Sequence, residues 1–309
     1  MSYYRVLGLE AEPFSTSPDP SFFYGSSEHR AALCRLQISI ALKRGLSVMA
    51  GDIGTGKTTV ARRLSQVLGE DGNVVFRMIL NPYFRTEKQF LSRMASLFHV
   101  PVPNERNATA LDYMEAIERY LFTAGVEQNR TVVLLIDEAQ ILPDFVFEVL
   151  RILLNYETNE FKILQLVLAG QLELLPRLAA MPNFWDRVST KVMLKPLAAG
   201  DVRDMIHARL LEAGYQGTQS LFCPEAVERI HEYTGGFPRR VNTLCHNVLE
   251  FLVMHDRKRA SLDIVQQVID RESATDDFKS LLEHKTTLTQ QPPEEDVENA
   301  GGYLRVVGA

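Results

Sequence analysis

A glycine-rich stretch near residue 50 carries the first recognisable chemistry. Gly51, Asp52, Ile53, Gly54, Thr55, Gly56, Lys57 and Thr58, followed by Thr59, fill every fixed position of the pattern GxxxxGK[ST]. In that pattern glycines let successive backbone N–H groups curl around phosphate oxygens, the lysine reaches the terminal phosphates and the hydroxyl of Thr58 ligates Mg2+. Apolar residues 46–50 precede it, and Val60, Ala61, Leu64 and Leu68 follow at helical spacing. A strand should therefore deliver the loop, and a helix starting near Lys57 should aim its positive N-terminal end at the anion. A second site lies at residues 132–140, where a continuous apolar strand ends in two adjacent carboxylates, Asp137 and Glu138. Asp137 is placed to hold the metal through water, and Glu138 to orient and polarise the water that attacks the γ-phosphate. Together the two stretches predict hydrolysis of a nucleoside triphosphate, ATP or GTP, with Mg2+ as cofactor.

These residues need a scaffold, and the apolar pattern predicts one. Residues 74–80, 131–136, 162–169 and a short 191–194 read as further strands, while 86–98, 109–124 and 144–155 read as helices with one apolar face. Continuous rather than alternating apolar strands imply an α/β fold with a parallel five-stranded sheet covered by helices on both faces. From about residue 197 the strand signals stop. Residues 201–213, 224–234, 238–254 and 261–271 read as four helices punctuated by Gly214, Gly217, Gly235, Gly236 and Pro238. The expected organisation is an N-terminal segment over 1–30 packing near the nucleotide, an ATPase domain over 31–196, a small all-helical lid over 197–272, and a disordered acidic tail over 273–309.

With 46% hydrophobic and 23% charged residues in 309, the chain has the composition of an ordinary globular protein with ample core. No apolar run approaches the roughly 18–20 residues of a membrane helix, and residues 1–14 lack the basic-then-apolar form of a secretory leader, so the cytoplasm is the expected location. The net charge of −6 is concentrated in residues 271–309, which hold four basic against eight acidic residues and leave 29 against 31 elsewhere. Global charge thus lends no support to nucleic-acid binding, though a local basic stripe is not excluded by it. Cys34, Cys223 and Cys245 have no metal-binding spacing and are expected to be buried, reduced thiols.

About 50 or more residues, with a strand and a helix of their own, separate the phosphate loop from Asp137. In this order the chain resembles the AAA+ P-loop ATPases rather than the kinase–GTPase branch, and the resemblance favours ATP over GTP. It also implies further roles. Gln171, at the end of the fourth strand, stands where that superfamily places its first sensor and would bridge the attacking water to the γ-phosphate; the other reading is a helix cap. Arg239, after Pro238 in the segment Gly235–Asn242, stands where an arginine opens a lid helix and touches the nucleotide across the cleft, with Arg240 beside it pointing elsewhere. Arg187, just before the fifth strand, stands where an arginine finger reaches a neighbouring subunit's nucleotide, so the active site would be completed in a homo-oligomer; a surface pairing with Asp186 is the other reading, and Arg151 an alternative for the role in trans.

A narrower resemblance runs over residues 3–270. Tyr3, Tyr4, Leu7, Gly8, Leu9, Pro13, Phe14, the segment 17–24, Glu28, His29, the run 137–140, residues 151–158, 164–174 and 235–242 are similar to the ExeA/GspA-type secretion ATPases. That family implies assembly or energisation of an envelope secretion or polysaccharide-export system through nucleotide-dependent oligomerisation and a protein partner. It also places Phe14, Tyr24 and His29 near the adenine, where core packing is the alternative, above all for Phe14. Longer family members add a membrane span and a peptidoglycan-binding domain; this chain shows neither, so any attachment to the inner membrane is expected to run through a partner. The competing class is a DNA-binding AAA+ regulator of transposition or replication, of the TniB/TnsC or initiator kind. It would use Arg239, Arg240, Arg257, Lys258 and Arg259 on phosphates, although the last three read more simply as a solvated helix end. A third option is a slow switch, in which Asp137, Glu138 and Arg187 set the lifetime of an assembled state.

Overall fold

The computed structural model describes residues 3–15, 22–103 and 105–274; the tail expected over 273–309 lies almost wholly outside these. Five strands, β1 (Leu46–Gly51), β2 (Val74–Ile79), β3 (Thr131–Ile136), β4 (Leu164–Gly170) and β5 (Val188–Leu194), form one parallel sheet in the order β2-β3-β4-β1-β5. The three central strands are buried almost throughout, which is why their sequences run continuously apolar. β2 and β5 are the edges and are buried only in part, and β5 alternates outward and inward. That alternation explains why its first residues, Val188, Ser189 and Thr190, lie ahead of the short strand expected over 191–194.

Successive residues of the central strands face opposite layers. Val132, Leu134, Ile136, Leu166 and Leu168 pack with Phe90, Met94, Ile117, Phe147 and Leu150 from the helices α4 (Glu87–Phe98), α5 (Ala110–Phe122) and α6 (Asp144–Leu153). Val133, Leu135, Val167 and Ala169 pack with Leu36, Ile40, Val60 and Leu64 from α2 (Ser27–Ala41) and α3 (Lys57–Gly69). The period of two in the strands and of three to four in the helices thus builds a three-layer sandwich. Helix α2 was not evident from the sequence, because its apolar residues Ala31, Leu33 and Ile38 also fall outside the buried set.

The short helices α7 (Leu174–Ala179) and α8 (Pro182–Trp185) link β4 to β5, and beyond β5 a separate core joins α9 (Ala199–Glu212), α10 (Pro224–Thr234), α11 (Pro238–Met254) and a last helix over 262–274 into the helical lid. Leu9 and Phe14 are part of that core, and the short helix α1 (Tyr3–Val6) lies against α11. The thiols depart from expectation: Cys245 is buried and Cys223 half-buried, but Cys34 is exposed on α2, whose packed face is set by Ala32 and Leu36. All three are free.

The start of α11 is fixed to the segment leaving β5. Leu197 donates its N–H to the Gly236 carbonyl at 2.8 Å, and Gly236 has φ +74° with the Leu197 carbonyl oxygen only 2.1 Å from where a Cβ would stand. Both the backbone angle and the close approach require glycine. Gly236→Ala should therefore destabilise the chain by about 2 kcal/mol or more, measured as a drop in the denaturant midpoint; an unchanged midpoint would contradict this packing of the start of α11 against the segment leaving β5.

Candidate active site

The sheet order decides what can meet. β4 lies between β1 and β3, so the residues leaving its C-terminal end sit between the phosphate loop after β1 and the carboxylates after β3. Ligands of open parallel sheets bind at that end. A cavity of about 520 Å³ opens there, lined by Gly54, Gly56, Lys57, Thr58, Glu138 and Gln171 from the sheet side and by Met205, Arg209, Arg239 and Asn242 from the lid.

The loop has the shape its glycines permit. Gly54 and Gly56 have φ of +83° and +97°, and a Cβ on them would stand 3.1 Å from the Arg239 side chain and 2.8 Å from the His29 ring respectively. Lys57 is 6% exposed, and its ammonium donates to the carbonyls of Gly51 and Asp52, each at 2.8 Å. Burial lowers its pKa, opposed by the negative charges of Glu138 and Asp137. Thr58 donates its hydroxyl to Asp137 Oδ2 at 2.7 Å, so an alcohol and a carboxylate converge at one point. Asp137 is 2% exposed; burial raises its pKa, countered by the bonds from Thr58 and from the Glu138 N–H.

Glu138 follows in the left-handed region, φ 53° and ψ 36°, which turns the chain out of β3. Its Oε2 accepts from Gln140 Nε2 at 2.6 Å and from Gln171 Nε2 at 3.4 Å. Gln171 therefore lies beside the carboxylate at the cavity wall. Arg239 opens α11 with its N–H donated to the Gly54 carbonyl at 3.3 Å, while Arg240 turns away and lies over the Phe237 ring, 5.1 Å from its centroid.

The N-terminal segment divides. His29 is 4% exposed, and its Nε2 meets the Thr55 carbonyl at 2.8 Å while Nδ1 meets the Ser26 hydroxyl at 2.9 Å. A carbonyl only accepts, so Nε2 carries the proton and Nδ1 accepts from Ser26. The ring supports the back of the phosphate loop while also lining the cavity. Tyr24 lines the cavity with Phe22 and Phe23 and donates its hydroxyl to Asp201 of α9 at 3.2 Å. Phe14 does not reach the cavity: it is 1% exposed and packs edge-on against Phe222 in the lid core.

Arg187 immediately precedes β5, at the end of the sheet opposite the cavity, and its Nε donates to the Asn183 carbonyl at 3.1 Å. Arg151 is paired with Glu148 at 2.8 Å. Arg257, Lys258 and Arg259 are exposed in the turn after α11.

The donor set fits Mg2+ with a nucleoside triphosphate. Mg2+ takes oxygen ligands and leaves several positions to water and phosphate, so Thr58 and Asp137 suffice without a larger cage; among the described residues no group of three or more His, Cys, Asp or Glu could hold a metal. The Asn242 side-chain oxygen, on the lid wall, is buried with no hydrogen-bond partner among the described residues, as is expected of a group that meets a ligand. Asn242, Arg209, Met205 and Gln140 escaped the sequence reading: the first three reach the site only through lid packing, and Gln140 lacked a visible partner.

This fold and these motifs are those of the AAA+ P-loop fold. The family described as an AAA domain matches residues 41–178. More particularly, the chain is 36% identical over 249 residues to General secretion pathway protein A of Aeromonas hydrophila, covering 80% of this chain and 44% of that protein. It thus spans less than half of that relative's length. Among solved structures it resembles Cdc6p from Pyrobaculum aerophilum, with a TM-score of 0.66 at 16% identity over 84% of this chain and 70% of that one. The Aeropyrum pernix ORC2 protein in its ADPNP–ADP complexes gives 0.59 at 18% identity over 80% and 67%. At such identities these two likenesses speak for the fold.

Burial lowers the pKa of His29 below its ordinary value of 6.5. The unfolded chain then takes up a proton that the folded chain refuses, so this residue's contribution to stability is full above about pH 6.5 and is lost as pH falls toward the folded-state value. Thermal midpoints between about pH 5 and 8 should fall on the acid side, and His29→Gln should flatten that part of the curve; identical slopes in both proteins would contradict the neutral, buried ring.

Proposed function

We propose that the chain binds ATP with Mg2+ in the cleft between sheet and lid and hydrolyses it to ADP and phosphate, and that the cycle governs self-assembly. The observation that carries this reading is the convergence on one cavity of Lys57, the Thr58–Asp137 pair, and Glu138 beside Gln171. Lys57 exchanges its carbonyl partners for oxygens of the terminal phosphates. Thr58 and Asp137 would hold the cation, which would supply charge neutralisation on those phosphates. Glu138 orients a water for in-line attack, so that the bond from the β–γ bridging oxygen to the γ-phosphorus breaks as the new one forms. Gln171 spans water and γ-phosphate, and Arg239 carries the state of the nucleotide to the lid. Tyr24 and His29 border the base and the loop.

Arg187 serves a neighbour in this reading, since it immediately precedes β5 at the far end of the sheet from its own cavity. Its charge adds to burial in lowering the pKa of Lys162, which is itself paired with Glu157. The boundaries expected from the sequence, 31–196 for the ATPase unit and 197–272 for the lid, remain part of this proposal.

By likeness to General secretion pathway protein A, the physiological task is assembly or energisation of an envelope secretion or polysaccharide-export system, performed on the cytoplasmic side with a protein partner at the inner membrane. No helix among the described residues is long and apolar enough to cross a membrane. The DNA-regulator reading would draw on the exposed Arg257, Lys258 and Arg259.

Lys57→Ala should abolish ATP binding measured by calorimetry, whereas Glu138→Gln should bind ATP normally, lose hydrolysis by about a hundredfold or more, and persist as an oligomer in size-exclusion chromatography. Normal turnover in Glu138→Gln would remove that carboxylate from the mechanism. For the physiological task, hydrolysis is measured with and without nonspecific duplex DNA at low and moderate salt. An unchanged rate is expected; salt-sensitive stimulation would move the chain to the DNA-regulator class.

A further inference from the structure

We infer that Gln140 is a positioning residue for hydrolysis, whose side-chain amide ties the Glu138 carboxylate and the end of β4 into one hydrogen-bonded ring. The inference rests on the roles proposed for Glu138 and Gln171.

The ring closes through four groups. Gln140 Nε2 donates to Glu138 Oε2 at 2.6 Å, Gln140 Oε1 accepts the Gln171 backbone N–H at 3.0 Å, and Gln171 Nε2 donates to the same Glu138 oxygen at 3.4 Å. Both amides therefore meet Oε2, and among the described residues Oε1 is the oxygen left for a water. A glutamate side chain turns about three bonds, so a carboxylate held at one oxygen offers the other in a fixed direction at little entropic cost on catalysis.

Gln140 is itself anchored. Arg177 Nη1 donates to its carbonyl at 2.6 Å and the same guanidinium pairs with Asp144, which pins the turn after Glu138. Gly170 makes room for the amide: a Cβ there would stand 2.9 Å from Gln140 Oε1. The side chain of Gln140 is not among the residues lining the cavity, and its amide contacts are with Glu138 and Gln171, so it works through these two neighbours. The primary amide supplies at once the donor that Oε2 needs and the acceptor that the Gln171 N–H needs. Glutamate at 140 would keep the acceptor and set a second negative charge against Glu138; methionine would keep the volume and supply neither. The consequence is that the activating carboxylate and the γ-phosphate sensor are fixed relative to each other, although 33 residues separate them in sequence.

The test uses the full chain with Gln140→Met, Gln140→Glu and Gly170→Ala, measuring kcat, KM, ATP affinity and the thermal midpoint of each. The expected result is a kcat about tenfold lower or more in all three, with KM and ATP affinity within about twofold of wild type. The double variant Gln140→Met, Gln171→Met should lose no more than the worse single variant, because both act on one carboxylate. Wild-type kcat in both Gln140 variants would overturn the inference while leaving the site intact. A kcat loss accompanied by equal losses of affinity and thermal midpoint would also overturn it, since that is what a merely structural side chain produces. A wild-type chain that binds no ATP would overturn the reading of the site and this inference with it.

Discussion

Only 6% of Lys57 reaches solvent, and an ammonium taken out of water costs several kcal/mol unless other groups replace its hydration. Here the replacement is the backbone itself. The Gly51 and Asp52 carbonyls point inward at it, which requires the loop to double back on the strand it has just left. That path needs left-handed angles at Gly54 and Gly56 and leaves no room for side chains there, because Arg239 and the His29 ring occupy the space. The lid arginine and the N-terminal histidine are thus seated on the loop as a direct result of how the lysine is buried. A phosphate arriving at this point meets a charge whose present partners are neutral carbonyls, and gains from replacing them.

The second condition is the sheet order. Parallel pairing of β4 with both β1 and β3 brings the ends of three strands side by side, with Gln171 between the phosphate loop and the carboxylates. Glu138 leaves its strand in the left-handed region, and Asp137, still within the strand line, donates its N–H to the Ile79 carbonyl of the neighbouring edge strand. Two adjacent acids therefore diverge, one toward Thr58 and one toward Gln140 and Gln171. The lid closes the other side, and the segment holding Tyr24, Ser26 and His29 touches both: Asp201 on α9 and Thr55 in the loop.

Much of this was legible in the chain before any fold was known. The phosphate loop and the acid pair are chemistry at fixed local spacing, and the central strands are buried on both faces, so their sequences carry no competing polar signal. The edge strand β5 was read short because Ser189 and Thr190 lie where the strand alternates. Phe14 could be placed near the base or in the core by residue type alone; its partner Phe222 lies 208 positions away, and only the lid packing chooses. Cys34 follows the same logic, since one turn of α2 decides between exposure and burial. Gln140 and Asn242 were invisible for a different reason: their importance lies in contacts with β4 and with the cavity, and neither contact leaves a local pattern.

The measurement that bears most directly on the central claim is a crystal structure of the chain with Mg2+ and a non-hydrolysable ATP analogue. The account predicts the terminal phosphates at the Lys57 ammonium, Mg2+ between the Thr58 hydroxyl and Asp137, and the γ-phosphate facing Glu138 and Gln171. A nucleotide bound outside this cleft, or one whose phosphates leave Lys57 on its own loop carbonyls, would contradict it.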